Sequence, residues 1–250
     1  MQVDRLGRML KVADFLIEQP SGSSLSDISR NLGIPLSSTH DLMNGLVELD
    51  VARQRDRVYV LGPRMVKLGI RANESLTVRT IGHQHLADLA QQLTMDVYIA
   101  ANVGGSVVYT DRYASRSQVK VNVGLGRRLH LHCTAAGKLM AAFDETLQRE
   151  ALTQESYPAL TAHTLTTRRD LEAELRRVVR LGYAVSNQES FVGVAGFAVP
   201  VWGPDQRICA ALHVSTLSAE LTPAHIDPVT EAMRRTAEAI KTDLSASSMG

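Results

Sequence analysis

Apolar residues first recur at helical spacing between Leu6 and Ile17, where Leu6, Met9, Leu10, Ala13, Leu16 and Ile17 give one broad face and predict an opening helix. Pro20-Ser21-Gly22-Ser23 breaks it. Leu25, Ile28 and Leu32 then resume the spacing, with Ser24 as cap, Asp27 three residues later, and Gly33 as a left-handed stop. Pro35 suits the first position of the next helix, whose buried stripe is Leu42, Met43, Leu46, Val47 and Leu49. Ser37, Ser38, His40, Asp41 and Asn44 are left on its open face. The period then drops to two, and residues 51–54 and 57–61 read as strands around a turn at Arg55-Asp56. Helix, tight turn, helix and hairpin predict a winged helix-turn-helix, which lays a helix in a DNA major groove and a hairpin against flanking phosphates.

Gly62-Pro63 turns the chain, Met65, Leu68 and Gly69 suggest a short linker helix, and the polar Asn73-Glu74-Ser75 is the expected boundary. Residues 76–94 predict a long helix with Ile81, Leu86, Leu89 and Leu93 inward. Residues 95–102 and 106–113 are strand-like around Val103-Gly104-Gly105, and 119–123 alternate as a further strand ended by Gly124 and Gly126. A strand then runs into Thr134, which opens a helix to Ala142. Asp144 caps the next helix, and Thr167 with Asp170 starts another that reaches Leu181 and stops at Gly182. Residues 183–188, 195–202 and 207–216 predict three more strands, the last two joined at Gly203-Pro204-Asp205. The closing helix starts at Thr222-Pro223, with a second candidate start at Asp227-Pro228. Helices interleaved with antiparallel-looking strands indicate an α+β fold. The expected domains are 1–62, a linker over 63–75, and 76–250.

A chain of 250 residues suits one or two domains, and 44% hydrophobic content is ample for a core. No apolar run reaches membrane-spanning length and no signal peptide opens the chain, so a cytoplasmic protein is expected. Two cysteines, Cys133 and Cys209, make no disulfide framework. The charge balance partly counts against DNA binding. Residues 1–62 hold seven Lys/Arg against eight Asp/Glu, a net of −1, so a bulk basic footprint is missing. Arg53, Arg55 and Arg57 are nevertheless clustered in the wing, and phosphate contact is expected to fall to the wing and the first helix.

Two groups of segments, one in each half of the chain, carry a family resemblance. Leu25-Ser26-Asp27-Ile28-Ser29-Arg30-Asn31-Leu32-Gly33-Ile34-Pro35, Ser37-Ser38-Thr39-His40 and Tyr59-Val60-Leu61-Gly62-Pro63-Arg64 resemble the DNA-binding half of the IclR family of bacterial transcription regulators. Leu129-His130-Leu131-His132-Cys133-Thr134-Ala135-Ala136-Gly137-Lys138 and Leu181-Gly182-Tyr183-Ala184-Val185 resemble its effector-binding domain, as do Pro200 and Ser215 two residues past His213. The resemblance implies a winged helix-turn-helix joined by a linker helix to a GAF-like α/β effector-binding domain. It implies a ligand-responsive regulator without a cofactor, acting as a homodimer or dimer of dimers on double-stranded operator DNA. The DNA-facing set is then Ser37, Ser38, Thr39, His40 and Asn44 with the wing arginines Arg53, Arg55 and Arg57. Members often carry a basic residue where this chain has Leu36 and Asp41.

In the second domain the helix start at Thr134 leaves the N–H groups of Ala135, Ala136 and Gly137 without intrahelical partners, a setting that attracts a carboxylate. By resemblance, ligand contacts fall on Leu129, Thr134, Ala135, Ala136, Ser186, Glu189, Val194, Gly196, His213 and Ser215. Members frequently have an acid at Ser186, a cysteine at Gly196 and a serine at His213. Gly196 is expected to enlarge the pocket, and His213 to add a hydrogen-bonding group. The effector expected is a small organic acid or an aromatic carboxylate derivative. The contrasting reading is a metabolite-binding protein or Cys/His enzyme with an N-terminal assembly module, since Cys133 adjoins His132 and His213 and Glu189 are candidates to approach it. No Gly-x-Ser-x-Gly elbow, Walker loop or Gly-x-Gly-x-x-Gly fingerprint accompanies it. His130-x-His132-Cys133 lacks zinc-ligand spacing, so neither an enzyme nor a metal site is expected.

Overall fold

A computed structural model describes residues 3–74, 77–116, 123–220 and 222–247. The chain divides into two compact units, Met1–Ser75 and Leu76–Gly250.

The first unit runs α1 (Val3–Ile17), β1 (Ser23–Ser24), α2 (Leu25–Leu32), α3 (Leu36–Glu48), β2 (Ala52–Arg55), β3 (Val58–Leu61) and α4 (Pro63–Glu74). Its core gathers Val12 and Leu16 of α1, Ile28 of α2, Leu42, Met43 and Leu46 of α3, and Ala52 and Tyr59 of the hairpin. Ser24 caps α2: its Oγ accepts from the Asp27 N–H at 3.2 Å and donates to the Asp27 carboxylate at 2.6 Å. Gly33 ends that helix in the left-handed region at φ +64. Several details depart from the sequence pattern. Ser23 and Ser24 pair antiparallel with Tyr59 and Val58, a third strand too short and polar to show a period. The wing turn lies one residue later than expected, since Arg55 pairs with Val58 and the turn takes Asp56, at φ +54, with Arg57. Pro35 caps α3 rather than opening it, and Leu49 leaves the buried stripe, 46% exposed at the helix end. The broad face of α1 also splits. Val12, Ala13 and Leu16 are buried, whereas Leu6, Leu10 and Ile17 point to solvent. At about 100° per residue those three fall within about 40° of one another, a separate stripe.

The second unit comprises α5 (Thr77–Leu93), β4 (Val97–Val103), β5 (Ser106–Tyr113), α6 (Ala135–Phe143), α7 (Glu145–Ala151), α8 (Arg168–Leu181), β6 (Ala184–Asn187), β7 (Val194–Trp202), β8 (Ile208–Leu217), a 3₁₀ turn (Ser218–Glu220) and α9 (Pro223–Ser247). Its strands form one antiparallel sheet in the order β5-β4-β8-β7-β6. Side chains alternate between two faces, as pleating demands. Tyr98, Ala100, Ala198 and Ala211 pack on α6, α7 and α8, while Val97, Ile99, Phe197, Val199 and Leu212 pack on α5 and α9. Gly104 and Gly105 turn the β4–β5 hairpin with φ +59 and +85, both positive as a primed two-residue turn requires. The strand expected at 119–123 falls outside the described residues except for Val123, which is not in a strand. α9 runs on through Pro228, so the second start does not occur. Residues 129–133 are not a strand: Arg128 bridges Val108, and the Thr134 N–H returns to the His130 carbonyl at 3.3 Å, folding the alternating pattern into a turn.

Candidate functional site

In the first unit α3 presents Ser37, His40 and Asn44 to solvent, with Ser38 half-buried among them. Asn44 Nδ2 lies 3.3 Å from His40 Nδ1, one turn apart on the open face. Thr39 corrects the expectation. It is fully buried, and its hydroxyl donates back to the carbonyls of Ile34 (3.2 Å) and Pro35 (3.0 Å), so it shapes the turn instead of facing DNA. In the wing Arg53, Arg55 and Arg57 are exposed and make no ion pair among the described residues. Arg53 and Arg55 are two apart on β2 and share a face, with Arg57 in the turn beside them. Three unopposed guanidinium groups on one hairpin suit phosphate oxygens.

In the second unit Thr134 caps α6, its Oγ1 accepting from the Gly137 N–H at 3.0 Å and donating to the His130 carbonyl at 2.7 Å. Gly137 is therefore spoken for. The N–H groups of Ala135 and Ala136 have no partner among the described residues. A Cβ on Gly137 would collide with the His130 carbonyl, so this tight helix entry requires glycine.

Beside that helix start lies a cleft of about 920 Å³. Of the expected ligand residues, Leu129, Thr134, Ala135, Ser186, Val194, Gly196, His213 and Ser215 line it. Ala136 and Glu189 do not. Ala136 follows Ala135 by one residue of helix and turns into the core, fully buried. Glu189 turns to Lys138, whose ammonium lies 2.7 Å from Glu189 and 3.1 Å from Glu174 in an almost wholly buried ion cluster. Gly196 is a further correction. A Cβ there would meet His213 Cε1 at 2.7 Å, so the space it leaves is filled by the His213 ring from the neighbouring strand, not by a larger pocket.

His213 Nε2 lies 2.8 Å from Ser215 Oγ, and its ring stands 5.1 Å from Tyr109 and 5.9 Å from Tyr98. Burial pushes its pKa down to about 3, opposed only by the Phe197 backbone, so the imidazole is neutral. Its Nδ1 makes no hydrogen bond of ordinary geometry among the described residues. Ser186 Oγ donates to the Cys133 carbonyl at 2.7 Å. The cleft also includes residues that sequence reasoning missed: the buried Tyr109, the adjacent Arg127 and Arg128, and the exposed Leu160, Phe191 and Val192. The adjacent arginines just before Leu129 were the one visible signal. Arg128 pairs with Glu150.

The Cys/His arrangement does not assemble a nucleophile. Cys133 is buried, and burial, with Glu189 adding to it, pushes its thiol up to about 12 against the pull of Lys138. His132 stacks on Tyr157 at 5.0 Å and places Nε2 3.2 Å from the Pro158 carbonyl, its pKa held down by burial. His130 and His132 meet edge-on at 5.5 Å, and no cluster of three His, Cys, Asp or Glu able to hold a metal occurs among the described residues.

A winged helix-turn-helix with an unopposed arginine wing, followed by a unit that encloses a cleft, defines the architecture of a DNA-binding transcription regulator. Residues 6–56 match the family described as the IclR helix-turn-helix domain, and residues 70–242 match the bacterial transcriptional regulator IclR C-terminal family. The chain belongs to the IclR family of bacterial transcriptional regulators. It is 28% identical over 227 residues, 90% of each chain, to the HTH-type transcriptional regulator XynR of Escherichia coli K12. It is similar in structure to the IclR of Thermotoga maritima, with a TM-score of 0.78, 26% identity and coverage of 97% and 99% of the two chains. An IclR homologue of Microbacterium hydrocarbonoxydans complexed with 4-hydroxybenzoate has the same fold, with a TM-score of 0.84, 23% identity and coverage of 97% and 99%. No helix among the described residues is long and apolar enough to cross a membrane.

Proposed function

We propose that this regulator senses a ring-bearing organic acid in the cleft at the start of α6 and transmits its occupancy to operator DNA, acting in the cytoplasm. The observation that carries this reading is the cleft itself. It combines the unpartnered Ala135 N–H at a helix N-terminus with apolar walls from Leu129, Ala135 and Val194 and the guanidinium groups of Arg127 and of Arg128, the latter paired with Glu150. Its volume of about 920 Å³ falls within the range of small-molecule sites. The 4-hydroxybenzoate in the Microbacterium homologue is a ligand of this chemistry on the same fold. The carboxylate belongs near Thr134 and Ser215, and the ring against Tyr109 and His213.

On DNA, Ser37, Ser38, His40 and Asn44 read base edges while Arg53, Arg55 and Arg57 grip phosphates. The chain works as a homodimer or a dimer of dimers on a partly palindromic site, which the unpartnered Leu6, Leu10 and Ile17 stripe of α1 supports. The test of the cleft is a thermal-shift screen of benzoate derivatives against the wild type and Ala135→Trp. A selective ligand raises the melting temperature of the wild type by mass action and leaves the variant unmoved. Equal shifts in both would place the ligand elsewhere. Ala136→Trp is no substitute, because Ala136 does not line the cleft.

A further inference from the structure

Residues 188–193, between β6 and β7, form a small loop fastened along its base. Gln188 and Gly193 take positive φ values of +58 and +80, and the Gly193 N–H donates to the Gln188 side-chain oxygen at 3.0 Å across the neck. The Gln188 N–H also donates to the Val194 carbonyl at 2.8 Å. Thr161 and Thr164 donate their hydroxyls to the carbonyls of Gln188 and Glu189, each at 2.6 Å. Ser190 Oγ reaches the Cys133 carbonyl at 3.1 Å. The backbone is therefore ordered by bonds from three directions.

Its tip contrasts with that base. Phe191 is 68% exposed and Val192 77%, although both line the cleft. Neither joins the core of the unit. The same cleft is lined by Tyr109 and His213, two buried rings 5.1 Å apart, which we take as its aromatic floor. A flat ring bound on that floor leaves its outer face toward the rim.

We infer that Phe191 and Val192 form the closing edge of the cleft, rotating their side chains on a fixed loop to cover the outer face of a ring-bearing effector. The inference rests on the cleft being the effector site. Because the backbone stays pinned, closure involves only side-chain torsions, two of them in Phe191. The tip accordingly selects rings over short, ringless acids, for which it has nothing to cover.

The probe is 8-anilinonaphthalene-1-sulfonate, an aromatic anion, bound to the full chain and followed by its own fluorescence. Wild type and Val179→Ser, which alters an exposed apolar residue of α8 outside the cleft, are expected to bind it with equal affinity. Phe191→Ser with Val192→Ser is expected to weaken binding tenfold or more at an unchanged melting temperature, and Phe191→Trp to retain it. Ala135→Trp separates the two ideas. If it blocks the probe while the serine variant binds as tightly as wild type, the cleft stands and the closing edge is overturned. If Ala135→Trp leaves binding unchanged, or the wild type takes up no probe, the cleft reading falls and the closing edge with it.

Discussion

Gly196 and His213 are legible only as a pair. From its own position Gly196 reads as added pocket volume, but the volume of a residue says nothing about a ring arriving from the next strand. Register supplies that ring: Ala198 faces His213 and Gly196 faces Ser215, so the His213 imidazole lies over Gly196. Ala136 and Thr39 depart from expectation for a similar reason, since neighbours in sequence diverge by about 100° around a helix: Ala135 and Ala136 are both buried, but only Ala135 also lines the cleft. The His213 environment has a measurable consequence. Its folded pKa is depressed to about 3, so its contribution to stability is present above the unfolded pKa of 6.5 and lost as pH falls toward 3. The unfolded chain takes up that proton first, giving a slope of up to about 1.4 kcal/mol per pH unit. His132, also depressed by burial, adds in the same direction, whereas Glu189, raised by burial, acts in the opposite one. Urea unfolding between pH 6.5 and 4 is expected to show a shallower pH dependence in His213→Asn than in the wild type. Equal slopes would mean that His213 is protonated in the folded protein.

Elements were legible where their signals are local. Ser24, Asp144 and Thr167 cap the helices they precede, Gly33 and Gly182 end theirs in left-handed geometry, and the two glycines turn the β4–β5 hairpin. What was not legible depends on distant partners, such as the two-residue strand β1 paired with β3, or the segment before Thr134 tied to β5 through Arg128 and Leu129. Two predictions belong here. Thr39→Val removes hydroxyl bonds within α3 and the turn before it, which is expected to destabilise the first unit by about 1 kcal/mol without altering base preference. Urea unfolding with competition binding checks it, and a changed preference would put Thr39 on the DNA. Replacing Arg53, Arg55 and Arg57 by Gln is expected to weaken binding to all sequences and to lower the salt slope by about 0.9 for each phosphate no longer neutralised. Ser38→Ala and Asn44→Ala should instead shift sequence preference at little change in slope. Anisotropy titrations across salt concentrations separate the two, and an unaltered slope in the arginine variant would move the phosphate grip off the wing.

At the scale of the whole molecule, the order of a DNA-binding unit and a second α+β unit was legible because each has its own period, caps and apolar clusters. Coupling between the units is a matter of energy differences that no local pattern carries. A ligand acts on DNA only by binding one arrangement of the units better than another. α4, the last element of the first unit, with Val66, Leu68 and Ile70 exposed, is the proposed conduit. That coupling is expected to run without metal, so a chelator should leave melting temperature, operator binding and effector response unchanged. Loss of the response with zinc release would contradict it. The most direct test titrates the best ligand of the carboxylate screen into the protein bound to fluorescent operator DNA, comparing wild type with Ala135→Trp by anisotropy. The ligand is expected to shift operator affinity of the wild type by fivefold or more, in keeping with coupling of about 1–3 kcal/mol, while Ala135→Trp binds operator normally and does not respond. An Ala135→Trp protein that responds as the wild type does would show that the cleft is not where this regulator senses its effector.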